Sequence, residues 1–148
     1  MADCLLLLGG NMGDRLAKLR FGVKELARVG IVLKKTRVYE TAPVGPSSRS
    51  YLNAIVKLRT DLSPMGLLVE CKRIEAAAGR RPAARWTKRP LDIDILDYGG
   101  LRLKNAWLRL PHPRMLSRPF VRAPLAEITL LPKLIVPASI VKIYPHGL

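Results

Sequence analysis

The spacing of apolar residues in the first forty positions predicts a strand, a helix and a second strand. A continuous apolar run at residues 4–8, which two glycines end, is typical of a buried strand. From residue 16 to residue 26, apolar side chains recur every three or four positions, as on one face of a helix. Asp14 lies near the start of this helix, where an anion suits the helix dipole. The β-branched residues at 31–39 favour the next strand.

The following sixty positions repeat this order of strand, helix and strand. Apolar and polar residues alternate at 51–60, which predicts a third strand with one apolar face. Ser63 and Pro64 are a typical helix start, an apolar stripe follows them, and Gly79 is a stop signal. Residues 91–96 then predict a fourth strand.

This order of elements is β-α-β-β-α-β, which is the ferredoxin-like arrangement. We therefore expect an α+β fold with an antiparallel sheet and helices on one face. The C-terminal part adds a predicted hairpin around residues 98–110 and a short helix at about 119–128. A length of 148 residues is usual for one domain, so residues 1–148 are predicted to form a single domain.

Composition favours a cytoplasmic protein. No apolar run approaches the roughly 18–20 residues of a membrane span, and the N-terminus lacks the basic start of a signal peptide. Cys4 and Cys71 lie among apolar residues and outside any Cys/His cluster, which favours buried reduced thiols. A disulfide between them remains the alternative.

The chain is strongly basic, with 26 Lys and Arg residues against 11 Asp and Glu residues and a net charge of +15. Such a charge implies an anionic partner without identifying it. A nucleic acid, a polyphosphate nucleotide and a merely solvated surface all remain open at this point.

The most informative motif is LDIDIL at residues 91–96. On a strand, Asp92 and Asp94 project to the same side, with Cα atoms about 6.6–6.8 Å apart, while Ile93 and Ile95 point to the core. Two adjacent carboxylates repel unless a cation joins them, and Mg²⁺ prefers one or two carboxylates together with phosphates and water. Two such ions can clamp a phosphoryl group during transfer. The alternative is an ordinary solvated acidic face.

Basic residues immediately precede this carboxylate pair. Guanidinium groups bind phosphate oxygens in pairs and stabilise the charge of phosphoryl transfer. Trp86 is a candidate to stack on a base. The alternative is an exposed basic loop. The basic residues are Arg80, Arg81, Arg85, Lys88 and Arg89.

Two further groups of polar residues complete the candidate site. His112, Arg114 and Arg118 form a second basic stretch that suits phosphate, although His112 alone is more typical of a turn residue held by its two prolines than of a catalyst. Tyr51 and Asn53 share the polar face of the third strand, and an Asn side chain matches the edge of an amidine-like heterocycle. The alternative is a solvated sheet face.

Six motifs, in this order, resemble the hydroxymethyldihydropterin pyrophosphokinases: GGNMGDR, YETAPVG, YLNA, RIEAAAGR, RWTKRPLDIDIL and LPHPRMLSRPFV. The resemblance covers residues 5–128. It implies that ATP donates its β,γ-pyrophosphate to the hydroxymethyl oxygen of a pterin and leaves AMP. It also implies the ferredoxin-like fold, in agreement with the order of elements above.

The resemblance also implies roles for individual residues. Asp92 and Asp94 would bind two Mg²⁺ ions, and Arg80 and Arg89 would act with them in catalysis. The ATP-binding residues would be Glu75, Arg80, Trp86, Arg89, Ile95, His112 and Arg118. The pterin-binding residues would be Thr41, Pro43, Val44, Tyr51, Asn53 and Phe120. Pro82 departs from the family pattern, because a second arginine commonly stands there.

The alternative function is a basic nucleic-acid-binding module, since RNA-recognition motifs share the same order of elements. Against it, the third strand offers Tyr51 without a second aromatic residue on its face, and the fourth offers two aspartates. We therefore expect a monomeric enzyme with small-molecule partners, ATP and a pterin, and neither a specific nucleic acid nor a membrane.

Overall fold

A computed structural model describes residues 1–42, 49–79, 90–129 and 141–148. The helices are α1 (Arg15–Leu26), α2 (Pro64–Ala77) and α3 (Pro119–Leu125). The strands are β1 (Ala2–Gly10), β2 (Ile31–Lys35), β3 (Tyr39–Thr41), β4 (Tyr51–Thr60), β5 (Asp92–Tyr98), β6 (Leu103–Lys104), β7 (Arg109–Leu110) and β8 (Val141–Ile143). The fold therefore mixes α and β structure, as the sequence predicts.

The strands form one antiparallel sheet and a separate hairpin. The strand order in the sheet is β5-β1-β4-β3-β8, and β2 pairs with the other half of β4. Strands β6 and β7 form the hairpin that was predicted around residues 98–110, although Tyr98 still belongs to β5. The antiparallel sheet is thus confirmed.

The helix signals in the sequence act as predicted. Asp14 caps α1, since its side chain accepts a hydrogen bond from the Ala17 N–H at 3.1 Å. Ser63 caps α2 in the same way. Gly79 follows the end of α2 with φ +105°, a conformation that only glycine adopts readily.

The sheet buries its two faces against different helices. One face packs on α1 and α2, and its cluster includes Leu6, Leu8, Ala54, Val56, Leu19, Leu67, Cys71 and Ile74. The alternate residues of the same strands, Leu7, Ile55 and Leu96, pack with Val121 and Leu125 of α3. The expectation of helices on one face therefore holds for α1 and α2, and α3 covers the other face.

The second predicted strand, residues 31–39, is interrupted at Thr36. The Thr36 N–H donates to the Ile55 carbonyl, and the Thr36 hydroxyl accepts from the Ile55 N–H, both at 2.9 Å. A side chain thus takes the place of a backbone partner, which ends β2 and separates it from β3. Strand β8, which the sequence pattern did not predict, extends the sheet beyond β3.

The fold also bears on the two cysteines and on the expected absence of a membrane-spanning helix. Both cysteines are buried and free, as predicted, and burial raises the pKa of each thiol to about 12. None of the helices in the described part of the chain is both long and apolar enough to cross a membrane.

Candidate functional site

A cavity of about 300 Å³ opens on the α3 face of the sheet, where β5, β1, β4 and β3 lie side by side. This volume is at the lower end of the range for small-molecule sites. Seven of its ten lining residues are site residues predicted from the sequence: Thr41, Tyr51, Asn53, Asp92, Asp94, Arg118 and Phe120. The other three are Leu7, Gly9 and Ala42.

The carboxylate pair lies on β5 with both side chains toward this cavity. In the sheet register, Asp92 is opposite Gly9 and Asp94 is opposite Leu7 of β1. Ile93, between them, is 2% exposed and points into the core on the α1 and α2 face. Strand alternation therefore places the two acids on one side, as the motif predicts.

Glu75 contributes to the site from behind the sheet. This residue of α2 is 2% exposed, and its Oε2 atom accepts a 2.7 Å hydrogen bond from the Ile93 N–H. Its Oε1 atom lies 3.3 Å from the Lys72 ammonium group. Within the described residues β5 pairs with β1 alone, so this contact satisfies a donor on the free edge of β5, between the two acids. Glu75 was predicted to contact the nucleotide, but it does not line the cavity.

Ile95 was also predicted to contact ATP. Its side chain is 3% exposed and belongs to the core cluster under α1 and α2. It therefore faces away from Asp92 and Asp94, and a contact with ATP would have to come from its backbone.

Gly9 makes room for the side chain of Asn53. The two residues are paired across β1 and β4, and Asn53 is 5% exposed. A Cβ atom on Gly9 would lie 2.2 Å from Asn53 Nδ2, so the amide group occupies the space that a side chain at position 9 would fill. Among the residues that the structure describes, this amide makes one hydrogen bond, a long one of 3.5 Å from Nδ2 to the Leu8 carbonyl. Its donors and acceptor are therefore available to a ligand.

Thr41 carries a buried hydroxyl group at the rim of the cavity. This oxygen finds no hydrogen-bond partner among the residues that the structure describes. An unsatisfied buried hydroxyl costs about 1–3 kcal/mol, so a polar ligand group or a water molecule is expected beside it. The sequence-predicted role of Thr41 in ligand binding fits this position.

Arg118 and Phe120 enter the cavity from the start of α3. Pro119 is the first residue of this helix, which suits its fixed φ, and Arg118 directly precedes it. The guanidinium carbon of Arg118 lies 5.5 Å from the centre of the Phe120 ring, a cation–π distance. A flat aromatic surface and a positive charge thus line the same cavity as the two carboxylates.

His112 lies beside the cavity without lining it. Its backbone N–H donates to the Leu96 carbonyl at 2.8 Å, which fixes the residue against the edge of β5, and its ring Nδ1 atom accepts from the Arg114 backbone N–H. Burial lowers the pKa of this imidazole, the Arg118 and Arg114 charges lower it further, and the Asp94 carboxylate opposes them. His112 is therefore a neutral imidazole near neutral pH, with a charge environment that includes both Asp94 and Arg118.

Eight of the predicted site residues lie outside the described residues: Arg80, Arg81, Arg85, Trp86, Lys88, Arg89, Pro43 and Val44. Conversely, Leu7, Gly9 and Ala42 line the cavity although the sequence did not indicate them as site residues. The sequence indicated Gly9 and Gly10 only as the end of a strand, whereas both glycines belong to β1. The contribution of Gly9 depends on its register with Asn53, which the sequence does not display.

A family model described as 7,8-dihydro-6-hydroxymethylpterin-pyrophosphokinase (HPPK) matches residues 5–130. A 2-amino-4-hydroxy-6-hydroxymethyldihydropteridine pyrophosphokinase from Methylorubrum extorquens is 44% identical over 131 residues, which cover 86% of this chain and 83% of that relative. The chain belongs to the HPPK family. This confirms the resemblance inferred from the six sequence motifs.

Other proteins that are similar to this chain differ in length. A pyrophosphokinase of the same name from Bacillus subtilis is 41% identical, and the match covers 83% of this chain and 75% of that relative. The mitochondrial folate synthesis bifunctional protein of Pisum sativum is 38% identical over 85% of this chain. The chain spans only 25% of that longer protein.

The fold is shared with solved HPPK structures. A crystal structure of HPPK-DHPS in complex with substrates superposes with a TM-score of 0.68 over 86% of this chain and 40% of that chain. At 14% identity this similarity concerns the fold alone.

Proposed function

We propose that this HPPK transfers pyrophosphate from ATP to the hydroxymethyl group of 6-hydroxymethyl-7,8-dihydropterin, giving AMP and the pterin diphosphate, as a step of folate biosynthesis. Family membership supports the reaction class. The assignment of this reaction to a site rests on one observation. Asp92 and Asp94 line the same cavity as Asn53, Thr41 and Phe120. One side suits phosphates and cations, and the other suits a flat polar heterocycle.

In this proposal the pterin binds on the β3 and β4 side of the cavity, which is called the pterin half below. The Asn53 amide reads the donor and acceptor edge of the ring, and the unsatisfied Thr41 hydroxyl supplies a further polar contact. Phe120 stacks on the ring, because planar heterocycles pack favourably on aromatic faces. Tyr51 lies at the rim of the same half.

The metal ions would bind at the other side of the cavity, where the two carboxylates of β5 lie. The structure describes no cluster of three or more His, Cys, Asp or Glu residues in its covered ranges, so the two aspartates form the acidic donor set there. Such a pair fits Mg²⁺, which typically takes one or two carboxylates and completes its shell with phosphate and water. We assign Asp92 and Asp94 as ligands of two Mg²⁺ ions. When bound, these ions would neutralise phosphate charge and make the β-phosphorus more electrophilic.

The protein contributes mainly by positioning the reactants. Phosphoryl transfer requires little covalent help, and most of the rate enhancement comes from alignment and charge stabilisation. Asn53 and Phe120 hold the pterin so that its hydroxymethyl oxygen faces the phosphate chain. Arg118 and the neutral His112 lie beside the phosphates, where each can donate a hydrogen bond.

Some assignments rest on the sequence motifs alone. We propose that Arg80 and Arg89 contact the phosphate chain during transfer and that Trp86, Glu75 and Ile95 lie near the nucleotide. Pro43 and Val44 are assigned to the pterin. All of these remain predictions, as do a monomeric state, a single domain at 1–148 and a cytoplasmic location.

We also propose that the sheet has the ferredoxin-like strand order. If β2 and β3 are counted as one strand interrupted at Thr36, the order β5-β1-β4-β2/β3 is that of a ferredoxin-like sheet. The arrangement would then correspond to the β-α-β-β-α-β order of the sequence.

The test is to incubate the protein with ATP, Mg²⁺ and 6-hydroxymethyl-7,8-dihydropterin and to separate the nucleotides. We expect AMP, formed only when the pterin is present. ADP, or AMP that forms equally without pterin, would contradict the proposal. In the Asn53→Ala variant the KM for the pterin should rise more than the KM for ATP, and equal increases would contradict the assignment of the pterin half.

A further inference from the structure

Three polar residues form a closed group on the sheet face behind the cavity. The Arg15 Nη1 atom donates to Glu40 Oε2 at 2.9 Å, to Ser50 Oγ at 2.7 Å and to the Ser50 carbonyl at 3.1 Å. The Ser50 hydroxyl in turn donates to the same Glu40 oxygen at 2.8 Å. The side chains of Arg15 and Glu40 are 15% and 20% exposed, so the group is largely shielded from water.

This group lies directly behind two residues of the cavity. Thr41 and Tyr51 are paired across β3 and β4, and both line the cavity. Because side chains alternate along a strand, their chain neighbours Glu40 and Ser50 project to the opposite face. The distance that Arg15 sets between Glu40 and Ser50 therefore also sets the distance between the backbones of Thr41 and Tyr51.

The strand pairing alone is a weak constraint at this point. Strands β3 and β4 share three residue pairs, and the pair that contains Thr41 and Tyr51 is the last of them. The ends of short ladders open easily, since few hydrogen bonds hold them. A charge-assisted group beyond the last pair closes this end.

Further contacts brace the same group. Lys142 of β8 lies 3.9 Å from Glu40 Oε1, and the Arg15 guanidinium carbon lies 5.7 Å from the centre of the Tyr144 ring. Burial acts to raise the pKa of Glu40, but the hydrogen bonds from Arg15 and Ser50 outweigh it and lower the pKa. Glu40 is thus ionised at neutral pH and holds its partners by charge.

We propose that Arg15, Glu40 and Ser50 are positioning residues that fix Thr41 and Tyr51 and thereby set the affinity of the site for the pterin rather than for ATP. This inference rests on the proposed function, because it assigns the Thr41 side of the cavity to the pterin. None of the three residues contacts the reactants in this scheme.

The test compares Arg15→Met and Glu40→Gln with a matched control, Arg59→Met. Arg59 pairs with Asp3 at 2.7 Å across β1 and β4, so the control also removes an arginine–carboxylate pair of the sheet, at a distance from the cavity. We expect the KM for the pterin to rise about tenfold in both test variants, which corresponds to a loss of about 1.4 kcal/mol. The KM for ATP should change less than twofold, and the control should leave both values unchanged.

A double variant and a stability measurement separate positioning from general destabilisation. Arg15→Met combined with Glu40→Gln should raise the KM for the pterin no more than the stronger single change, because both act through one group. If the wild-type protein forms no AMP, the proposed function fails. If wild type is active but the test variants raise both KM values equally, or lower only the Tm, the positioning inference is wrong and the proposed function stands. Glu40→Gln keeps the test decisive if Arg15→Met does not fold.

Discussion

The substitution Gly9→Ala tests how closely the cavity depends on the bare backbone of β1. The new methyl group would lie 2.2 Å from Asn53 Nδ2, whereas ordinary contact begins at 3.4 Å. The amide nitrogen must therefore move by about 1.2 Å, the difference between these two distances. The backbone φ of Gly9 is not in the left-handed region, so the effect comes from the side-chain contact and not from strain.

The size of the effect follows from the hydrogen bonds that Asn53 is proposed to make. An amide that is displaced from its ligand leaves buried polar groups unsatisfied, at a cost of about 1–3 kcal/mol. This corresponds to roughly a 5- to 150-fold increase in Kd for the pterin. Overpacking also costs about 1–3 kcal/mol, and Ala in place of Gly in a strand returns about 0.5–1 kcal/mol. The expected net loss of folding stability is therefore about 0–2.5 kcal/mol.

The assay is calorimetric titration of 6-hydroxymethyl-7,8-dihydropterin and of ATP into four proteins: wild type, Gly9→Ala, Asn53→Ala and the double variant. Without the Asn53 amide, the nearest remaining atom to the new Cβ is the Leu52 carbonyl oxygen at 3.4 Å, which is tolerable. Gly9→Ala should therefore weaken pterin binding in the wild-type background and have little further effect in Asn53→Ala.

Gly30→Ala is the matched control. Its Cβ would lie 2.5 Å from the Arg59 carbonyl oxygen, a backbone atom that yields less readily than the Asn53 amide. The clash lies six residues further along β4 and thus roughly 20 Å from the Asn53 position. This variant should lose stability and keep its pterin Kd. Unchanged pterin binding in Gly9→Ala, or an equal loss in the Asn53→Ala background, would show that position 9 does not act on the ligand through the Asn53 amide.

Three further substitutions have distinct expected outcomes. Asp94→Ala should abolish AMP formation while leaving the Tm within about 2 °C of wild type, since the side chain lies at the cavity surface; near-normal turnover would exclude it as a metal ligand. Glu75→Ala should lower the free energy of unfolding in urea by about 1–3 kcal/mol, because the Ile93 N–H loses its acceptor; an unchanged value would show that the contact is dispensable. Tyr39→Phe should remove the bond to Glu127. Burial, with help from Glu127, raises the Tyr39 pKa from 10.0 to about 12. The folded state therefore keeps a proton that the unfolded state releases, and the stability advantage of wild type over Tyr39→Phe should shrink as pH rises from 10 to 12. A constant difference over that range would contradict it.

The part of the site that sequence predicts is the part that depends on local geometry. Asp92 and Asp94 lie two residues apart on one strand, so their common orientation follows from the pleat alone. Asn53 and Leu52 separate onto opposite faces for the same reason. Capping by Asp14 likewise involves a contact with Ala17, three residues away.

The parts that sequence does not reveal depend on register between distant segments. Thr36 interrupts a β-branched run only because Ile55 is placed to exchange hydrogen bonds with its hydroxyl and amide groups. Arg15 appears in the sequence as an unremarkable first-turn residue, and its partners stand 25 and 35 positions further along the chain. The spacing of apolar residues along the sequence does not indicate such contacts between distant segments.

Because side chains alternate along the strands, residues that stabilise the core and residues that line the cavity lie on opposite faces of the sheet, but the separation is not complete. On β5, Ile93 belongs to the core under α1 and α2, whereas Asp94 belongs to the cavity under α3. Yet the groups that hold the cavity in shape, Glu75 and Arg15, lie on the core side and act through the backbone of the strands. A substitution on the cavity face should therefore change binding or transfer with little effect on folding. A substitution of the polar residues behind the sheet should change both, because the same hydrogen bonds that close the strand edges also fix the spacing of the residues on the other side.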